Sequence, residues 1–280
     1  MRTPIAGTTL ALMIGTACAA ITAGASGAWA AAAPVLAPHR AVYDLALLRS
    51  TGANALSSAT GRIVMEITGS ACDGYAQSTR QVIEIDGDGG RVRLDHRATT
   101  FETGEGDSLR FSKDFRPGQG PAEVFQGTAE RRDGATIVRT TVPAAATHRL
   151  AEAVFPARHL KLLIEAAREG RPRLEVKLFD GSDEPNKVSD TIALIGGRAR
   201  GGEETLDEPS RKAGLGATAR WPVSLSFFDE GAGDKQPTHT VNFEMFDNGV
   251  ARKLTLDYGD FALKGELTRL EMLKAPACDK

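Results

Sequence analysis

Five histidines, three cysteines and a few acid–glycine clusters are the residues of this 280-residue chain whose types could carry chemistry. The histidines are His39, His96, His148, His159 and His239. A zinc protease needs two of them in an H-E-x-x-H pair, so that both rings reach one metal from one helix face, and none is so placed. None has a second metal ligand close in sequence, and no metal site is expected. His96 falls in a strand pattern and His159 on a helical segment; each reads as a structural or surface histidine. A serine nucleophile on a strand-to-helix elbow would want G-x-S-x-G, which is absent. Asp86-Gly87-Asp88-Gly89-Gly90 opens like a calcium loop, but Arg91 stands where the loop glycine belongs and Arg97 where a bidentate glutamate is required. It reads as a hairpin turn. Gly196-Gly197 and Gly201-Gly202 lack the strand, lysine and helix of a phosphate loop. Carboxylates are plentiful, yet spacing alone does not put two of them across a glycosidic bond. No catalytic residue and no cofactor follow from these patterns.

The cysteines carry more. Arg2 is followed by an uncharged run of small and apolar residues from Ile5 to Ala25 and then Ala28-Trp29-Ala30, the A-x-A pattern of a cleaved export signal. Residues 1–30 are read as that signal, leaving a mature chain of 250 residues. The alternative, an N-terminal membrane anchor, is disfavoured because a run rich in Ala, Gly and Thr is weakly hydrophobic for a span. Lipid attachment at Cys18 is a lesser alternative, since Gly15 occupies the position where the lipidation box wants an aliphatic residue. If Cys18 leaves with the signal, Cys72 and Cys278 remain, and an even count outside the cytosol favours one disulfide. The competing reading is two free buried thiols. Neither cysteine has a Cys or His two to four residues away, which argues against metal. A periplasmic location follows from the signal. A net charge of −2, with 34 basic and 36 acidic residues, argues against general nucleic-acid binding, which needs a basic face.

The elements that would position these residues are mostly strands. Composition is globular, with 41% hydrophobic and 25% charged residues. Residues 31–38 read as a small-residue linker. Alternation follows at Ala41-Tyr43-Leu45-Leu47, Ile63-Met65-Ile67, 81–85, 92–96, 109–111, Leu174-Val176-Leu178, 191–195, Val223-Leu225-Phe227, Val241-Phe243-Met245, Leu254-Leu256-Tyr258, 261–263 and 267–273. Period two buries one face of a sheet and wets the other. Turn pairs such as Asp73-Gly74, Pro117-Gly118 and Asp133-Gly134 separate the segments. Leu160, Leu163, Ile164 and Ala167 recur at helical spacing opposite Arg158, Lys161, Glu165 and Arg168, between Pro156 and Gly170. That is one amphipathic helix with start and stop signals. Residues 196–219 read as a mobile loop with a short helical piece. A long antiparallel sheet with one apolar face must close, stack or wrap around something. The helix would fill its interior. Leu160, Leu163 and Ile164 would pack there and line whatever apolar pocket is left for an acyl chain or lipidated peptide; a solid core is the other outcome.

Four short motifs, in order, resemble a known family. They are His39-Arg40-Ala41-Val42-Tyr43-Asp44-Leu45, Cys72-Asp73-Gly74-Tyr75, Phe155-Pro156-Ala157-Arg158-His159 and the terminal Cys278. Across residues 36–280 the chain resembles the EipB-like family of periplasmic cell-envelope-integrity proteins. The resemblance implies a mainly β fold: an antiparallel β-spiral, or partly open barrel, over residues 39–280, wrapped around one central α-helix. Such a fold is similar to the carriers of the bacterial lipoprotein-localisation pathway, which hold acyl chains in a cup. It also implies a Cys72–Cys278 disulfide and a non-enzymatic role in envelope integrity, with a lipid or lipoprotein ligand or a periplasmic protein partner. Two rival readings are a structural scaffold that docks a partner through its strands or the 196–219 loop, and a hydrolase of envelope polymers working through His96 or His159.

Overall fold

Side chains at alternate positions of the first strand set the pattern of the whole wall. His39, Ala41, Tyr43 and Leu45 are buried, and the residues between them are wetter. The computed structural model describes residues 33–52, 55–181, 184–231 and 236–278. The export signal and Cys18 lie outside the described residues. In chain order the elements are β1 (His39–Ser50), β2 (Ser58–Ser70), β3 (Gly74–Gly87), β4 (Gly90–Glu102), β5 (Ser108–Pro117), β6 (Glu123–Arg132), β7 (Ala135–Val142) and β8 (Ala146–Ala151). Then come α1 (Pro156–Arg168), β9 (Arg173–Leu178), β10 (Ser189–Ile195), α2 (Glu208–Lys212), β11 (Arg220–Asp229), β12 (His239–Phe246), β13 (Ala251–Asp257) and β14 (Phe261–Met272). Upstream of β1, Leu36 is buried and packs into the core beside α1.

All the strands belong to one sheet, in the order β8-β7-β6-β5-β4-β3-β2-β1-β14-β13-β12-β11-β10-β9. Every neighbouring pair is antiparallel. The first strand pairs with the last, so chain start and chain end meet in mid-sheet. The two edges, β8 and β9, are consecutive in sequence, and α1 is the connection between them. The sheet nearly closes there. Val154 donates nothing sideways to a ladder but forms a lone parallel bridge, its N–H to Lys177 O at 2.8 Å and its carbonyl accepting from Phe179 N at 3.0 Å. The fold is thus a nearly closed antiparallel barrel whose seam is spanned by a helix. Gly127 on β6 permits a tight bend beside that seam: a Cβ there would sit 2.3 Å from the Arg139 carbonyl oxygen and 2.9 Å from the Phe111 ring.

Helix α1 lies inside one end of the barrel. Pro156 occupies its first turn, and the preceding Phe155 has no side chain to cap it. Glu102, at the end of β4, supplies the cap instead: Oε2 accepts from Ala157 N at 2.6 Å and Oε1 from Arg158 N at 2.9 Å. The far end closes with Arg171 N to Ala166 O at 2.8 Å and Gly170 N to Ala167 O at 3.2 Å, with Gly170 at φ 69°. Ala157, Leu163, Ile164 and Ala166 pack against Ile67, Tyr75, Ile195, Trp221 and Met245. Each fully buried leucine or isoleucine contributes roughly 1.5–3 kcal/mol. Arg168 and Asp247 tie the helix C-terminus to the β12–β13 turn through two bonds of 2.6 and 3.0 Å.

Residues 196–219 hold the short helical piece read from sequence, α2, in a largely exposed segment that is anchored at a few points. Two arginines on the outer face of the barrel hold the segment down. Arg252, its side chain 2% exposed, bonds Glu244 Oε1 at 2.6 Å, Asp207 Oδ2 at 3.1 Å and the Thr205 carbonyl at 3.1 Å. Arg220 pairs with Glu244 at 3.0 Å and reaches the Gly201 carbonyl at 3.1 Å. Leu206 and Leu215 complete a small apolar cluster with Phe246 and Val250. Glycine and charge in the sequence read as a solvated loop; the anchoring by two buried guanidiniums is what that composition does not reveal.

Cys72, in the β2–β3 turn, is bonded to Cys278 beyond β14, with Cα atoms 5.7 Å apart and a sequence separation of 206. Opening so long a loop in the unfolded chain is worth at most about 5 kcal/mol in the chain-entropy view. Cys72→Ser is therefore expected to lower the melting temperature and speed proteolysis while leaving far-UV circular dichroism nearly unchanged; an unaltered melting temperature in non-reducing buffer would contradict the tie. Glu244→Gln leaves two buried guanidiniums without their shared carboxylate and should cost about 3–5 kcal/mol in urea denaturation. A loss below about 1 kcal/mol, the scale of an exposed ion pair, would show that the network is not holding the 196–219 segment.

Candidate functional site

The helix fills the end of the barrel where β2 and β12 finish and β3 and β11 begin. Towards the opposite end the core thins. Phe227, Val241 and Phe243 face inward and are half-buried, Phe227 and Phe243 at the edge of the helix cluster and Val241 against the cluster around Tyr43 and Leu263. A cavity of about 730 Å³ opens at this mouth. Its walls come from β5 and β6 (Lys113, Glu123, Phe125), from His148 on β8, from residues 184–187, and from Asp229, Thr238 and His239 around the β11–β12 connection. It therefore brings the two sides of the seam together.

Aromatic rings line the rim next to it. Phe227 stacks on His239 at 4.3 Å between centroids and 11° between planes. His239 continues to Tyr258 at 6.0 Å, and Tyr258 to Phe261 at 5.0 Å. The stack crosses four adjacent strands, β11 through β14. Burial pushes the Tyr258 hydroxyl above its ordinary pKa, and a hydrogen bond with Gln81 of β3 partly offsets that. Since β3 and β13 are not neighbours in the sheet, that contact reaches across the interior.

Lys113 is the unusual wall residue. The register sets Phe111, Lys113 and Phe115 on one face of β5, opposite Ala98 on β4 and Phe125 on β6. The residue is 9% exposed. Its ammonium lies 5.8 Å from the Phe115 centroid and 5.5 Å from that of Phe125. Among the described residues it makes no ion pair and no hydrogen bond. His96 sets an edge against Phe115 at 6.1 Å, one step nearer the rim.

The residues singled out from sequence are distributed as follows. Cys72 and Cys278 come together. Leu163 and Ile164 are fully buried in the helix cluster, and Leu160 is partly buried against Leu36 and Gly249. The mouth cavity is lined by other residues. Of the histidines, His148 and His239 enter the cavity wall, while His39 is buried and bonded to the Ala37 carbonyl at 2.7 Å. Lys113 and Phe125 escaped the sequence reading. The signal was present in Phe111-Ser112-Lys113-Asp114-Phe115, where period two places a lysine on an apolar face. Among the described residues no group of three or more His, Cys, Asp or Glu could hold a metal ion, and no helix is long and apolar enough to cross a membrane. What the mouth offers chemically is a mixed wall, in which Phe125, two imidazoles and the Lys113 ammonium stand among carboxylates and other polar side chains.

A family model described as EipB-like matches residues 30–274. The chain belongs to the EipB-like family. Cell envelope integrity protein EipB of Brucella abortus (strain 2308) is 37% identical over 255 residues, 89% of this chain and 89% of that protein. A crystal structure of a beta-barrel-like protein of a domain of unknown function from Brucella abortus matches with a TM-score of 0.79 at 33% identity, covering 86% of this chain and 100% of that one. The nearly closed β-barrel with one helix is therefore the fold of this EipB-like chain.

One histidine of the EipB-like fold has a defined electrostatic role. His159, on α1, is 5% exposed, and its Nε2 lies 3.2 Å from Thr191 Oγ1. Thr191 already donates its only proton to the Val176 carbonyl at 2.6 Å, so Nε2 carries the ring proton and donates. Burial lowers the His159 pKa from 6.5 to about 4, with the Asp180 charge opposing weakly. The unfolded chain then binds more protons than the folded one between pH 6.5 and about 4, and stability falls as pH falls through that window. The loss attributable to His159 is about 3 kcal/mol. His39, also lowered by burial, adds in the same direction. His159→Gln should flatten the acid slope of urea midpoints over this range; a slope equal to that of the parent chain would contradict a neutral buried imidazole.

Proposed function

We propose that this chain is a periplasmic, non-enzymatic envelope-integrity protein whose barrel mouth binds the acyl chain of a lipid or lipidated peptide. The observation that carries this reading is the cavity of about 730 Å³ at the end the helix leaves unfilled, with the half-buried Phe125 in its wall and the Phe227–His239 stack at its rim. That volume is in the range of small-molecule sites. The family supplies the envelope context through its relative named for cell envelope integrity. The export-signal pattern at 1–30 and the Cys72–Cys278 bond support a location outside the cytosol.

The direct test is native mass spectrometry of protein released from the periplasm without detergent. Adducts with the masses of acyl-bearing molecules are expected, and a fluorescent fatty-acid probe should displace them. Phe125→Ala and Phe227→Ala, which thin the cavity and rim walls, should each weaken the probe roughly tenfold, the equivalent of about 1.4 kcal/mol. Protein that is free of adducts and does not bind the probe would overturn the acyl-binding reading. A single stoichiometric protein recovered by crosslinking in the same lipid-free preparation would favour the scaffold reading in its place.

A further inference from the structure

We propose that Lys113 is the receptor for an anionic head group on an acyl-chain ligand, so that the mouth selects anionic amphiphiles over neutral ones of the same chain. This rests on the acyl-binding reading and deepens it. The starting observation is an uncompensated charge. Lys113 is more than nine-tenths buried and its ammonium meets two aromatic faces, Phe115 and Phe125, with no carboxylate or carbonyl partner among the described residues. Cation–π contacts hold the side chain against the wall, and the ammonium, which reaches the cavity, keeps its three donors free for a ligand. Elsewhere in this molecule buried cations are handled differently. Arg252 and Arg220 are buried to a similar degree and are ringed by Glu244, Asp207 and backbone oxygens.

The surroundings favour an anion that arrives with a ligand. The cavity holds Lys113 together with Glu123, Glu184, Asp229, Lys187, His148 and His239. Glu123, Glu184, Asp229 and Lys187 are exposed at the rim, and Glu184 is already bonded to Lys187 at 3.2 Å. Lys113 sits deeper on β5 than Phe115, which pairs with Glu123. Its lateral neighbours are Ala98 and Phe125, neither of which can accept a proton-donor bond from the ammonium. An oxygen anion entering past the rim would find there a cation with free donors, and the apolar remainder of the ligand would rest against Phe125 and the neighbouring ring faces. A carboxylate and a phosphate monoester share this chemistry.

The experiment measures binding of palmitate, palmityl phosphate and palmityl alcohol to the mature protein by equilibrium dialysis. The variants are Lys113→Met, which keeps length and apolar volume, and Lys113→Arg, which keeps the charge. The expected result is that the parent chain binds at least one anionic probe roughly ten- to a hundredfold more tightly than the alcohol. Lys113→Met should remove that preference without weakening the alcohol, and Lys113→Arg should retain it. Which anion gains the preference tells carboxylate ligands from phosphate ones. Equal binding of acid, phosphate and alcohol, unchanged by Lys113→Met, would overturn the role of Lys113 and leave the acyl-binding reading standing. Binding of none of the three by a folded parent chain would overturn both. The Lys113→Met melting temperature, expected at or above that of the parent, confirms that any loss of preference is not a loss of fold.

Discussion

The Glu102 carboxylate joins the wall of the barrel to the helix that fills it. It is 2% exposed and accepts from the first two free N–H groups of α1. A helix start buried without such a partner would leave orphan donors in an apolar core, each costing roughly 1–3 kcal/mol. Burial pushes the Glu102 pKa up, and the two backbone donors, with Lys161 and Arg158, act against that rise. The carboxylate thus sits where the helix N-terminal dipole can offset part of its desolvation. Because it belongs to β4, far from β8 in sheet order, it fixes the start of α1 to the opposite wall instead of to its own strand. That one contact decides which end of the barrel the helix occupies.

What the other end contains follows from lengths. An α-helix rises 1.5 Å per residue and a strand about 3.3 Å. The 13 residues of α1 therefore cover about 20 Å, whereas the 13 residues of β2 run for about 43 Å. Both termini of α1 are moreover tied at the same end, to Glu102 and to Asp247, so the helix lies across that end and does not run the length of the interior. The remaining length must be filled by side chains or left open. Aromatic residues at inward positions of β11 to β14 fill part of it by stacking along the rim, and the space beside them is the mouth cavity. Charge is divided along the same line. The guanidiniums of Arg220 and Arg252 pair with Glu244 on the outer face beside the plugged end, while the ammonium of Lys113 faces the open one.

The parts of this architecture that were legible in the sequence are those written in strong local patterns. The helix showed itself through Pro156, Gly170 and the Leu160-Leu163-Ile164-Ala167 stripe. The strands with large inward residues, such as Tyr43 and Leu45 or Leu254 and Leu256, showed themselves by alternation. The run from β6 to β8 did not, because Gly127 and Ala129 put small residues on its inward face, where the close packing of Phe111 requires them, and Thr136 and Thr140 put polar ones there. Strand β14 read as two pieces because Gly265 interrupts its pattern, yet it pairs continuously past Leu45. Glu102 and Lys113 were invisible for another reason. A single charged residue on an alternating strand carries no mark of what it will face, and both acquire their meaning from elements far away in sequence. The 196–219 segment reads as a loop with a helical piece and is largely exposed; what its glycines and charges did not reveal is that partners on β11, β12 and β13 anchor it around the buried Leu206, Ser210 and Leu215.

The ties that hold the barrel are also unevenly placed, and the asymmetry fits a container. The Cys72–Cys278 bond joins the β2–β3 turn to the tail beyond β14 and so crosses over β1, where the chain ends meet in the sheet. Tyr75, three residues on, packs against α1, which locates that bond at the plugged end. The Glu102 cap, the Arg168–Asp247 pair and the Arg220–Glu244–Arg252 network lie at the same end. The mouth has weaker fastenings: the ring stack, and surface pairs such as Arg49–Asp257 and Lys177–Asp190, both partners about a third or more exposed and each worth about 1 kcal/mol or less. The seam between β8 and β9 carries a single bridge among the described residues, at Val154, which joins the segment leading into α1 to the far end of β9. Widening the barrel at the mouth would thus break few strong interactions, whereas widening it at the helix end would break a covalent bond and several buried charge contacts. A wall built this way can admit a ligand at one end without loosening the end that keeps the fold.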